Sequence, residues 1–120
     1  VLALTIITWT LSGILSLIFL MAGAMKLVKP HADLPMVTLQ ALTPTAVKLI
    51  GAAEVLGAVA LIAAPLTGIL PVLAPIAAIG LALTQLFAIF AHKRIDEPIR
   101  TNLVLLLLAL AVTVLGFVRL

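Results

Sequence analysis

Residues 48–64 read KLIGAAEVLGAVALIAA, a run apolar enough to lie in lipid except for Glu54 near its middle. A carboxylate in such a place can carry a proton, act as a general acid, or pair with a cation and order the helices around it. Facing lipid it would cost about 3 kcal/mol, so Glu54 is expected to point into a protein interior and to have a partner there. On a helix, Gly51, Glu54, Ala58 and Leu61 fall on one stripe. The small residues beside the carboxylate let a neighbouring helix or a ligand come close.

Four further polar side chains lie at neighbouring depths in other apolar stretches. Lys26 shares a face with Phe19, Ala22 and Gly23; Gln85 and His92 share another; Asn102 opens the last stretch. Their convergence predicts a ligand pocket lined by Lys26, Glu54, Gln85, His92 and Asn102, with Ala22, Gly23, Gly51 and Ala58 as the small residues that leave it room. Each polar residue also has a structural reading. Lys26 can snorkel to the lipid headgroups or pair with Glu54. Gln85 can staple two helices together, a contribution of about 0.6 kcal/mol. His92 can contact headgroups at the interface. Burial opposes the charged form of Glu54 and a nearby ammonium favours it, and the sequence leaves both outcomes open. In the first case Glu54 carries a proton or acts as an acid; in the second it orders the bundle. The other half of the spans offers only hydroxyls such as Thr8, Ser12 and Thr113.

No catalytic residue is assigned, because the sequence holds no nucleophile–base arrangement, phosphate loop or paired-histidine haem signature. The chain has no cysteine, which removes disulfide-relay chemistry, thiol nucleophiles and thiolate-held clusters. Two histidines are too few for most metal sites, so no metal site is expected. His31 and His92 also lie on different segments, which argues against b-haem ligation deep in the bundle.

What must position these groups is a set of membrane helices. The 120 residues are 65% hydrophobic and 9% charged, against about 25% charged in a soluble domain. Mean hydropathy is +1.43, and too few polar residues exist to coat a globular surface. The chain is therefore read as an integral membrane protein in contact with the lipid bilayer. Apolar stretches at about 2–28, 45–64, 71–91 and 98–118 are each long enough to cross. They predict an all-α, up-and-down bundle of four transmembrane helices forming a single transmembrane domain over residues 1–120. The first stretch lacks a basic leader and exceeds the apolar length of a signal peptide, so it is expected to stay as a helix. With Val1 in place of methionine, a few native residues are expected to be missing before it.

Pro30 and Pro65 are expected to stop the first and second helices. PLTGIL (65–70) reads as a tight turn built from Pro65 and Gly68, and KPHADLPMVTLQALTP (29–44) as holding a short interfacial helix with Asp33 as N-cap and Pro35 just inside. Asp96, Glu97 and Pro98 are expected to start the fourth helix. Lys26, Lys29, Lys48, Lys93, Arg94 and Arg100 fall on one side of the membrane and only Arg119 on the other. The positive-inside rule then puts both connecting loops in the cytoplasm and both termini outside it. With cations flanking the spans, the net charge of +3 reflects topology, and no nucleic-acid partner is expected.

FLMAGAMKL (19–27), KLIGAAEVLGAVALI (48–62) and a third span closing on FAHKR (90–94) resemble the DoxX-like family of small four-helix membrane proteins. The groupings that carry the resemblance are Ala22–Gly23–Lys26 and Gly51–Glu54–Gly57, and Lys26, Glu54 and His92 match polar positions of the family pattern. The resemblance implies a multi-pass protein of the bacterial inner membrane. Founding members are membrane subunits of a thiosulfate:quinone oxidoreductase; other relatives are linked to redox-stress complexes or to membrane-protein assembly. It thus implies a small amphipathic, quinone-like ligand in a cytoplasm-facing pocket, and a partner membrane or redox protein for any oxidoreductase role. Two other readings stand beside this one. The first is a non-enzymatic assembly or scaffolding factor, and the second a small exporter or channel, built as a homo-oligomer, in which Glu54 couples protons to transport.

Overall fold

The computed structural model describes residues 2–34, 37–95 and 97–118. The expectations that fall on Val1, Pro35, Asp96 and Arg119 lie outside the described residues. Four long helices carry the fold: α1 (Leu2–Val28), α3 (Pro44–Thr67), α4 (Leu73–Arg94) and α5 (Arg100–Val118), with a short α2 (Val37–Ala41) between the first two. Each long helix has the length and apolarity to cross a bilayer, and no strand occurs among the described residues. The molecule is all-helical and multi-pass. Its longest extent, 46 Å, matches a hydrocarbon core of about 30 Å with its headgroup layers.

Packing follows chain order. α1 lies against α3, α3 against α4 and α4 against α5, and a thinner seam between α5 and α1 closes the ring. The apolar core is built from Leu15 and Phe19 of α1, Ala58 and Leu61 of α3, Ala78 and Leu81 of α4, and Ala109 and Val112 of α5. Outside it, large apolar side chains such as Leu17, Met21, Leu56 and Phe90 point outward, where lipid is their solvent. Polar groups show the opposite distribution: Thr8, Ser12, Lys26, Glu54, Gln85 and His92 are all buried.

Local chemistry explains the helix ends, and several differ from expectation. Thr43 caps α3 by accepting from the Ala46 N–H at 3.1 Å, with Pro44 at the first helical position, where a missing N–H costs nothing. Pro65 does not stop α3. The helix runs through it to Thr67 and ends at Gly68, whose φ of 71° lets its N–H return to the Ala64 carbonyl at 3.1 Å. The turn is therefore built from Gly68 and Leu70, both with positive φ, and Pro65 belongs to the helix. Asp33 is not the N-cap of a helix; it ends a 3₁₀ turn (His31–Asp33), its N–H bonded to the Pro30 carbonyl at 2.9 Å, and α2 follows separately. α5 begins at Arg100, two residues beyond Pro98, with the Ile99 carbonyl accepting from the Leu103 N–H at 2.8 Å.

Among the described residues every Lys and Arg gathers at one end of the bundle, formed by the C-termini of α1 and α4 and the N-termini of α3 and α5. We call this the basic end.

Candidate functional site

The site at the basic end begins with a close crossing of α1 and α3. A Cβ on Gly23 would lie 2.7 Å from the Gly51 carbonyl oxygen, and one on Gly51 would lie 2.9 Å from the Gly23 carbonyl oxygen. Only two glycines allow this backbone-to-backbone contact. One helical turn beyond each glycine stands an ionisable residue, Lys26 on α1 and Glu54 on α3. Side chains tilt toward their own helix N-terminus. α1 runs toward the basic end, so Lys26 leans back into the bundle; α3 runs away from it, so Glu54 leans toward Lys26. The ammonium donates to Glu54 Oε1 across 2.6 Å, and Glu54 is 1% exposed. Lys26 pairs and does not snorkel.

A second polar link lies beside the first. Asn102 Nδ2 of α5 donates to Gln85 Oε1 of α4 across 3.0 Å. Lys26, Glu54, Gln85, His92 and Asn102 all line one cleft of about 50 Å³, closed on its other sides by residues that include Leu39, Leu42 and Phe87. That volume takes one or two water molecules. The cleft borders an apolar, lipid-facing groove of about 410 Å³ between α3 and α4, and the two share Ile50, Thr84 and Phe87.

The four small residues expected to leave room in the pocket sit elsewhere. Gly23 and Gly51 are used up in the helix crossing, Ala58 is fully buried in the apolar core, and Ala22 is not part of the cleft wall. Small side chains here bring backbones together and do not hold a space open. Ala58 also accepts, through its carbonyl, a hydrogen bond from Ser16 Oγ of α1 at 2.7 Å, a second tie across the same helix pair.

Residues 10–114 match the DoxX-like family. The chain belongs to the DoxX-like family. No curated protein and no solved structure matches it. In this DoxX-like protein the stretches 19–27 and 48–62 are the two sides of the Gly23–Gly51 crossing and of the ion pair above it. Gly57, the third member of the second grouping, faces α4: a Cβ there would lie 2.9 Å from Leu81 Cδ2.

A larger cavity, about 150 Å³, lies at the opposite end and includes Thr8, Trp9, Ser12 and Pro65 in its wall. Sequence reasoning placed only scattered hydroxyls there. The available signal was Pro65, which leaves the Leu61 carbonyl without its helical donor beside two buried hydroxyl residues.

Proposed function

We propose that this DoxX-like membrane protein binds a small amphipathic molecule at the basic end, its polar head at the cleft of Lys26, Glu54, Gln85, His92 and Asn102 and its apolar tail along the groove between α3 and α4. The observation that carries this reading is the continuity of a polar cleft with an apolar lipid-facing groove through Ile50, Thr84 and Phe87. Ligand sites combine an apolar body with a few placed polar groups, and this pair of spaces offers both. The cleft volume of about 50 Å³ limits what enters. A ring-sized head rests at the mouth, with a single carbonyl or hydroxyl reaching the amides of Gln85 and Asn102. A quinone meets that description, and family membership favours it; such a group would supply two-electron redox chemistry to a partner protein. We place the site at the cytoplasmic face of a bacterial inner membrane.

A structural reading of the same residues has one specific observation behind it. Lys26 with Glu54 and Asn102 with Gln85 already satisfy one another, so the cluster can fix helix register without any ligand. The experiment that separates the two is solvent extraction of the purified protein from lipid nanodiscs, followed by mass spectrometry for isoprenoid quinones and other amphiphiles. Wild type should retain an enriched species. Ala53→Phe, which fills the lipid-facing groove without touching the core, should lose most of it, about tenfold for each 1.4 kcal/mol of lost contact. A wild-type extract no different from bulk lipid would leave the structural reading standing and remove the ligand.

A further inference from the structure

The cavity at the end away from the basic residues is chemically unlike the cleft. Its wall of Thr8, Trp9, Ser12, Leu61, three prolines and small apolar residues contains no charged side chain. Ser12 is 6% exposed, and its hydroxyl has no hydrogen-bond partner among the described residues. Thr8 is equally buried and donates to the Leu4 carbonyl at 2.8 Å, so its oxygen keeps acceptor capacity. Leu61 belongs to the wall, and Pro65, four residues on, has no N–H to give its carbonyl. Pro65, Pro71 and Pro75 belong to the wall and add no donors. One unpaired donor and two acceptors thus stand in an otherwise apolar space of about 150 Å³.

We propose that this cavity is a binding site for a small, neutral, ring-sized molecule bearing one hydroxyl. The volume sets the size, since a cavity of about 150 Å³ accommodates one benzene ring. The lining sets the polarity. A charged ligand would find no counter-charge, and a bare hydrocarbon would leave Ser12 unpaired. About five waters would occupy the same volume, each needing two to four polar partners, more than this wall supplies. The site is independent of the ion-pair site. Leu15, Phe19 and Leu81 are packed in the core between the two and are essentially inaccessible.

Trp9 is the only tryptophan in the chain and stands in the cavity wall, so intrinsic fluorescence reads this site alone. The full-length protein in lipid nanodiscs is titrated with 4-bromophenol, whose bromine quenches indole emission, and with 4-bromotoluene, which has the same ring without the hydroxyl. Wild type should show saturable quenching by bromophenol, with affinity about five- to tenfold higher than for bromotoluene, the factor one net hydrogen bond gives. Ser12→Ala should lose that preference, Ser12→Thr should keep it, and Ala74→Leu, which fills the space, should abolish saturation. Ser12→Ala and Ser12→Thr are both compatible with the helix, so their contrast stands even where Ala74→Leu fails to fold. Linear, unsaturable quenching in all variants would mean that the probes only partition into lipid, and overturns the site. Equal affinity for the two probes, or a preference that survives Ser12→Ala, would mean that the space accepts any apolar chain, and overturns hydroxyl recognition.

Discussion

Lys26 and Glu54 form a largely buried ion pair, with room for no more than one or two waters beside it. Pairs of this kind often add little net stability compared with an apolar replacement, but removing one partner leaves the other uncompensated. Lys26→Met and Glu54→Gln are therefore each expected to destabilise the bundle by about 3 kcal/mol or more, and the double variant to recover much of that loss. Thermal unfolding of all four proteins in one detergent gives the coupling energy; strictly additive losses would show that the pair does not interact. The sequence displayed both charges and their depth, and pairing was one of two open outcomes for Lys26. The tilt of side chains on antiparallel helices decides between them, because it turns Lys26 inward. Ser12 was visible as well, but a hydroxyl on a transmembrane helix usually bonds its own backbone, as Thr8 and Thr113 do. Its lack of a partner is a property of the cavity, which no local pattern records.

Helix α1 meets α3 through Gly23 and Gly51, and there the sequence was legible in residue type but not in purpose. A glycine beside a carboxylate reads equally well as space for a ligand or as space for a backbone. Reciprocal distances of 2.7 and 2.9 Å from would-be Cβ atoms to the opposing carbonyl oxygens identify the second use. A carbonyl within a helix cannot swing aside, so Gly51→Ala must push α1 and α3 apart. A loss of about 1–3 kcal/mol is expected, the usual range for overpacking, together with a weakened Lys26–Glu54 coupling, since the crossing sets their separation. Gly13→Ala is the matched control. Nothing lies within 4 Å of its added methyl, and the change should leave unfolding unaltered or slightly delayed. Equal behaviour of the two variants in the same unfolding assay would contradict the close-crossing account. Helix ends show the same limit of local reading. Pro65 alone predicts a stop, yet α3 continues for two more residues because Gly68 supplies a left-handed cap that closes it favourably.

Across the whole molecule, the distribution of polarity is inverted relative to a soluble bundle, and that inversion was legible from composition alone. Charge gives an expectation for which end faces the cytoplasm. Six Lys and Arg residues occupy the basic end, and none occurs at the other end among the described residues. Lys26 is neutralised by Glu54, so Lys29, Lys48, Lys93, Arg94 and Arg100 carry the bias. Moving each unpaired cation outward against a potential of 100 mV costs about 2.3 kcal/mol, and the cytoplasmic leaflet attracts it further. We therefore expect the basic end to lie in the cytoplasm, with the α3–α4 turn and the start of α1 outside. The chain has no cysteine, so single introduced thiols report without background. Leu2→Cys and Ile69→Cys, both at exposed positions of the far end, should react with an impermeant maleimide in intact cells. Lys93→Cys should react only after permeabilisation. The reverse pattern would place the ion-pair cleft on the outer face, and the proposed amphiphile would then have to reach it from the outer leaflet.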